Sequence, residues 1–223
     1  MVGSKLEMIA SAFSLVSPNL PIGAFSYSEA LEAAVENKVV TDCNSFYKWL
    51  CHNLKRSLVY FELPVLRHLY ESNTVDEFSF WTQRAIAMRN TFELRKEEDD
   101  KGKAFVRLIS SLVLTDNKEF LEVARNSYLS AFSLYAKSEE LSLEMMLQCY
   151  LFSYIESQCI AAVKLVPLGQ TDAWKCIKNA SHLSDELIEK SLTVKDDELG
   201  AGLVNLSILS VKHETQYSRI FRS

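Results

Sequence analysis

The 223-residue sequence predicts an all-α, single-domain globular helical bundle of roughly eight to ten helices. Three observations carry that reading. Apolar residues recur at three- and four-residue steps almost throughout, the spacing of one helix face. Residues that cap helices stand at the head of several such stretches, some with Glu three positions on. Only 6 Gly and 4 Pro interrupt the chain, which excludes collagen-like, linker-like and Pro-rich disordered sequences.

The elements follow in order. Leu6, Ile9, Phe13 and Val16 define a first helix, which Pro18 and Pro21 end. Ser26 and Glu29 have capping-box spacing and predict a second helix to about Asn37. Asp42 is placed to cap a third, carrying Phe46, Trp49, Leu50, Leu54, Leu58 and Phe61, which Pro64 should kink or split. Thr74 and Glu77 open a fourth through Phe78, Trp81, Ile86 and Met88. Glu93 to Lys103 is a run of five acids and four bases, which reads as a solvated helix face or loop, with Gly102 weakening the case for one continuous helix. Asp116 and Glu119 should begin a helix to about Lys137, and Ser138 a long, apolar one at the centre of the bundle that stops near Pro167-Leu168-Gly169. Thr171 should cap a helix to about Ser181, Ser184 another to about Leu192, and Gly200 to Leu209 forms one more, with a short β-like hint in the last residues. No fixed-period repeat or domain linker divides the chain.

Composition narrows function. Hydrophobic residues make up 48% and charged residues 24%, enough to bury a core. The formal charge of -5 argues against a general nucleic-acid binder, which needs clustered basic surface. Met145 to Val166, the most apolar long stretch, is broken by Gln148, Glu156, Gln158 and Lys164 and does not suit a membrane span. The first ten residues lack the pattern of a signal peptide, so a cytoplasmic location is expected. Cys43, Cys51, Cys149, Cys159 and Cys176 then read as free thiols.

Chemistry-bearing motifs are sparse. There is no His-Glu-x-x-His, no Cys-x-x-Cys, no Gly-x-Ser-x-Gly and no phosphate-binding Gly loop. His52, His68 and His182 read as surface or satisfied core histidines. No catalytic residue, metal ligand or cofactor is expected. Two segments exceed what a helical globule needs. The first, Leu20 to Ser28, places Pro21, Gly23, Phe25, Ser26, Tyr27 and Ser28 ahead of a helix. The second, residues 211–223, combines His213, Glu214, Gln216, Tyr217, Arg219, Phe221 and Arg222, with a local charge of +2 from Lys212, Arg219 and Arg222 against Glu214. Arg and aromatic residues are enriched where proteins bind partners, so these thirteen residues are the candidate partner-binding set. The terminal segment is expected to be loosely held until a partner orders it.

Leu20-Pro-Ile-Gly-Ala-Phe-Ser-Tyr-Ser28, followed by Leu31-Glu32, resembles the N-terminal signature of the urease accessory protein F (UreF) family. His213 to Ser223 resembles that family's C-terminal signature, Ala162 to Gln170 a third recurrent stretch, and Glu93, Arg95 and Gly102 a weaker fourth. Ala30 stands where the family usually has Gly, a change expected only to stiffen the helix. Leu203 to Ser210 lacks the family's common Pro and Asp, and Ile220 replaces the commoner Leu. The resemblance implies an all-α homodimer without catalysis of its own. It implies an adaptor that joins accessory protein D/H, recruits the accessory GTPase G and delivers nickel to apo-urease. Two alternatives stay open: an independent nickel carrier using His213, and a direct GTPase-activating regulator using Arg219 or Arg222.

Overall fold

The computed structural model describes residues 5–112, 118–200 and 204–223. Among the described residues the secondary structure is twelve α-helices, one 3-10 turn and one π-helical turn, with no strand, so the β-like hint at the end is not realised. The helices are α1 (Lys5–Val16), α2 (Leu31–Glu36), α3 (Cys43–Asn53), α4 (Glu62–Glu71), α5 (Val75–Met88), α6 (Phe92–Leu112), α7 (Lys118–Ala124), α8 (Tyr128–Ser138), α9 (Leu143–Leu165), α10 (Gln170–Ser181), α11 (Ser184–Leu192) and α12 (Val204–Glu214). None is long and apolar enough to cross a membrane.

Local chemistry sets most boundaries. Asp42 and Ser45 form a reciprocal capping box at α3, and Thr74 and Glu77 another at α5. The helix ahead of Pro64 is split: α3 runs into the π turn Leu54–Leu58, and Phe61 leaves helical geometry before α4 begins. Pro64 then sits in the first turn of α4, where its missing N–H is no loss.

Other boundaries differ from expectation. The second helix starts at Leu31 instead of Ser26. The stretch expected as one helix to Lys137 is two, α7 and α8, because Ser127 turns its hydroxyl onto the Ser130 amide and starts α8 afresh; Asp116 lies outside the described residues. α9 begins after Ser142, not Ser138, because α8 ends in a Schellman motif. Glu140 takes a left-handed φ of 56° while the Leu141 amide reaches back to the Ala136 carbonyl. α2 ends the same way, with Lys38 at φ 59° and the Val39 amide on Ala34. Gly169, not Thr171, precedes α10, Ser184 is the first residue of α11 rather than its cap, and α12 runs on to Glu214.

α9 is the central element, packed against α1, α2, α3, α4, α10 and α11. α8 lies beside it and packs on α4, α5, α6 and α7. At the α6–α8 contact, Phe105 meets Tyr128, Phe132 and Tyr135 with ring centroids 6.2, 6.3 and 5.6 Å apart. α12 bridges α2 and α6, which brings the last residues of the chain back to the segment that leads into α2.

Gly102 lies inside continuous α6 because α8 comes too close for a side chain. A Cβ there would stand 2.7 Å from backbone atoms of Ser127. Gly102→Ala is therefore expected to lower unfolding free energy by about 1–3 kcal/mol, although Ala is the better helix former. Thermal unfolding followed by circular dichroism checks this; a raised midpoint contradicts it.

Candidate functional site

The two segments singled out in the sequence meet over α2 and α6. Gly23, at a left-handed φ of 73°, turns the chain after Pro21 into the short Ala24–Ser26 turn. Phe25 is thrown outward and Tyr27 inward, where its hydroxyl donates to Asp100 at 3.0 Å. Burial chiefly pushes the Tyr27 phenol above its ordinary value. Glu29 and Ala30 both take left-handed backbone, at φ 46° and 65°. That is why no helix starts at Ser26: the Ser28 hydroxyl, not that of Ser26, meets the first turn of α2, at the Glu32 amide. Ala30 accordingly does not stiffen a helix; it holds a conformation that glycine adopts without strain.

The terminal segment is docked on the body, contrary to the expectation of a loosely held tail. Glu214 accepts the Phe92 and Glu93 amides and so caps α6. His213 is fully buried between two carboxylates, Nδ1 2.7 Å from Glu93 and Nε2 3.1 Å from Glu32. Each ring nitrogen thus faces one carboxylate oxygen, one from α6 and one from α2. The chain then turns back. Arg219 reaches Glu93 at 2.8 Å, the Ile220 and Phe221 amides donate to Glu32 at 2.7 and 2.8 Å, and the Ser223 hydroxyl donates to Glu97 at 2.6 Å. Two main-chain links close the junction between the segments: Arg222 amide to Ser26 carbonyl, and Ser28 amide to the Ser223 main-chain oxygen.

The charge run beneath is not a solvated face. Glu93, Glu97, Glu98 and Lys101 are buried, and only its outer side, with Lys96–Asp100 and Lys103–Asp99 pairs, meets water. Arg89 bridges Glu62 and Glu98 at 2.9 and 3.1 Å. Burial disfavours charge on Arg89, yet the neighbouring Glu98 and Glu62 carboxylates hold it firmly charged. Against the same burial, Arg89, the Leu129 amide and the Ser127 hydroxyl bring Glu98 below its ordinary value. Lys101 pairs with Glu97 at 2.8 Å and lies over the Tyr128 ring. Glu29 stands apart: burial first, then the Glu97 carboxylate, push it up to about 8, so it keeps its proton at neutral pH.

The candidate residues therefore fall into two groups. Ser28, Tyr27, His213, Glu214 and Phe221 make internal contacts, Pro21, Phe25, Tyr217 and Arg222 are exposed, and Arg219 is exposed while pairing with Glu93. Ser26 and Gln216 are half-buried, and the Gln216 amide donates to the Ser218 carbonyl. A groove of about 590 Å³ between Tyr27, Phe92, Lys96, Arg219 and Arg222 lies in the size range of ligand and side-chain pockets. Among the described residues no group of three or more His, Cys, Asp and Glu is arranged to hold a metal ion. Sequence reasoning missed Arg89, Glu97, Glu98 and Lys101. For Glu98 and Lys101 the signal was positional: Leu94, Glu98, Lys101, Phe105 and Ile109 share one helical stripe, so two charges sit within an apolar face.

Comparison with known proteins adds the family context. The family model described as UreF matches residues 40–181, the span from α3 through α10, and leaves both docked segments outside it. The chain is 36% identical over 212 residues to the urease accessory protein UreF of Pseudomonas putida, covering 94% of this chain and 95% of that protein. It is 36% identical over 222 residues to that of Blochmanniella pennsylvanica, covering 98% and 97%. It is 35% identical over 214 residues to that of Alkalilimnicola ehrlichii, covering 95% and 94%.

Two outcomes follow from the geometry. Glu32→Ala leaves His213 and two tail amides without their acceptor, so it should cost about 3–5 kcal/mol and expose Arg219 and Arg222 to trypsin. Glu32→Gln, which keeps one acceptor oxygen, should fall between that variant and the parent. Unchanged tryptic resistance in both variants contradicts the docking role. Glu29 holds its proton to about pH 8 when folded but releases it near 4.5 when unfolded. Its contribution to stability is intact below pH 4.5 and is lost as pH rises to 8, by up to about 1.4 kcal/mol per unit. Glu29→Gln lacks that loss, so calorimetry should show its midpoint gaining on the parent as pH rises; parallel pH profiles contradict this.

Proposed function

The chain belongs to the UreF family of urease accessory proteins, and on that premise we propose that it is a non-enzymatic, chaperone-like adaptor in urease maturation. In this reading a cytoplasmic homodimer joins accessory protein D/H, and the pair recruits the accessory GTPase G. The assembly acts on apo-urease and couples GTP hydrolysis to insertion of nickel, the cargo. Catalysis and nucleotide binding belong to the GTPase. Neither a resident cofactor nor nucleic acid nor a membrane has a part.

One observation supports this reading above others. The two segments with partner-like composition form a single surface whose underside is tied down by hydrogen bonds to Glu32 and Glu93 and whose outer side presents Phe25, Tyr217, Ile220 and Arg222. Aromatic and Arg side chains on a preorganised base suit a binding face, because little order is lost on association. The nickel-carrier alternative fits less well: His213 has both ring nitrogens engaged and no exposed surface. The regulator alternative loses one of its two candidates, since Arg219 is already paired with Glu93.

Size-exclusion chromatography with light scattering, on this chain with accessory protein D/H and then the GTPase, tests the reading. Co-elution as a defined complex is expected. Phe25→Ala and Tyr217→Ala should leave the thermal midpoint unchanged, Arg222→Ala should lower it slightly because its side chain also bonds the Tyr27 hydroxyl, and at least one of the three should weaken recruitment about tenfold or more. Full recruitment by the triple variant would remove this surface from the mechanism.

A further inference from the structure

Four of the five cysteines gather where α3, α9 and α10 meet: Cys43 and Cys51 on α3, Cys159 on α9 and Cys176 on α10. The fifth, Cys149, lies elsewhere, against the Ala12 carbonyl. Within the cluster, Cys43 and Cys176 bring their sulfurs to 3.9 Å although 133 residues separate them in sequence. Cys43 is half-buried, while Cys176 lies beneath it with 4% of its surface exposed. No metal-holding arrangement of three or more ligands exists among the described residues, so the cluster favours thiol chemistry over coordination.

We propose that Cys43 and Cys176 form a redox modification site that takes a low-molecular-weight disulfide as co-substrate and closes reversibly into an intrachain disulfide. The accessible Cys43 thiolate attacks one sulfur of the small disulfide, forming a mixed disulfide and releasing one small thiolate. Cys176 then gives up its proton to solvent, and its thiolate attacks the Cys43 sulfur. A second small thiolate leaves as the protein S–S bond forms. Two protein thiols are oxidised, and one small disulfide is reduced to two thiols. Closure brings the sulfurs from 3.9 Å to about 2.05 Å, with Cys43 at the first residue of α3. Burial first, and the Cys43 thiol next, push Cys176 up to about 12, so the closing step is slow at neutral pH and quickens with pH.

The test incubates the reduced, folded full chain with oxidised glutathione, quenches with an alkylating agent and maps peptides by mass. The expected product is a Cys43–Cys176 cross-link, reversed by dithiothreitol. The oxidised protein should have a higher thermal midpoint, because the bond constrains a long loop of the unfolded chain. Closure should quicken about tenfold per pH unit between about pH 7 and 9. Cys176→Ser should hold one glutathione on Cys43, and Cys43→Ser should leave Cys176 unmodified over the same time, with both variants checked for native circular dichroism. A glutathione adduct on Cys43 of the parent that persists unclosed at about pH 9, a cross-link through Cys51 or Cys159, or no reaction in the folded state would each overturn the proposal.

Discussion

A carboxylate removed from water must meet positive charge or hydrogen-bond donors, at a penalty of several kcal/mol per unpaired ion. Six glutamates are buried among the described residues: Glu29, Glu32, Glu62, Glu93, Glu97 and Glu98. Arg89 and Lys101 are the buried Arg and Lys facing them. Arg89 satisfies Glu62 and Glu98, and Glu98 in turn anchors the start of α8 through Ser127 and Leu129. Lys101 satisfies Glu97 in part, and Glu29 avoids the problem by staying protonated. Glu32 and Glu93 are left for the terminal segment, which brings His213, Arg219 and two backbone amides to them. The tail is thus the electrostatic completion of the core, and its docking follows from the charge that α2 and α6 bury.

The same completion links fold to function. Because the inner side of the tail is held by charge-assisted hydrogen bonds, its outer residues are presented on a fixed frame. Phe25 and Arg222 come from opposite ends of the chain, yet the Arg222 amide bonds to the Ser26 carbonyl, beside Phe25. A partner that reads both segments reads a surface that exists only in the folded, tail-docked protein.

Helix positions were legible where capping is local. Asp42 and Thr74 announce their helices by side-chain chemistry within four residues, and the all-round apolar character of α9 announces its central place. Boundaries were lost where an ordinary residue takes the left-handed conformation usually read from glycine, as Lys38 and Glu140 do at helix ends and Glu29 and Ala30 do before α2. The charge run was misread because mixed charge normally faces water. Besides Lys101 within the run, its burial is made tolerable by Arg89, nine residues before Glu98 and outside the run, and by the returning tail, where Arg219 stands 126 residues from Glu93. The two recognition-like segments stood out by composition, but their contact with each other is long-range and invisible to periodicity.

Amide hydrogen exchange in the intact protein tests tail docking most directly. The Ile220 and Phe221 amides, each bonded to Glu32, should exchange at least about a hundredfold more slowly than in an unstructured peptide. Exchange of both at the free-peptide rate, while α9 amides stay protected, would mean that the buried carboxylates do not hold the tail.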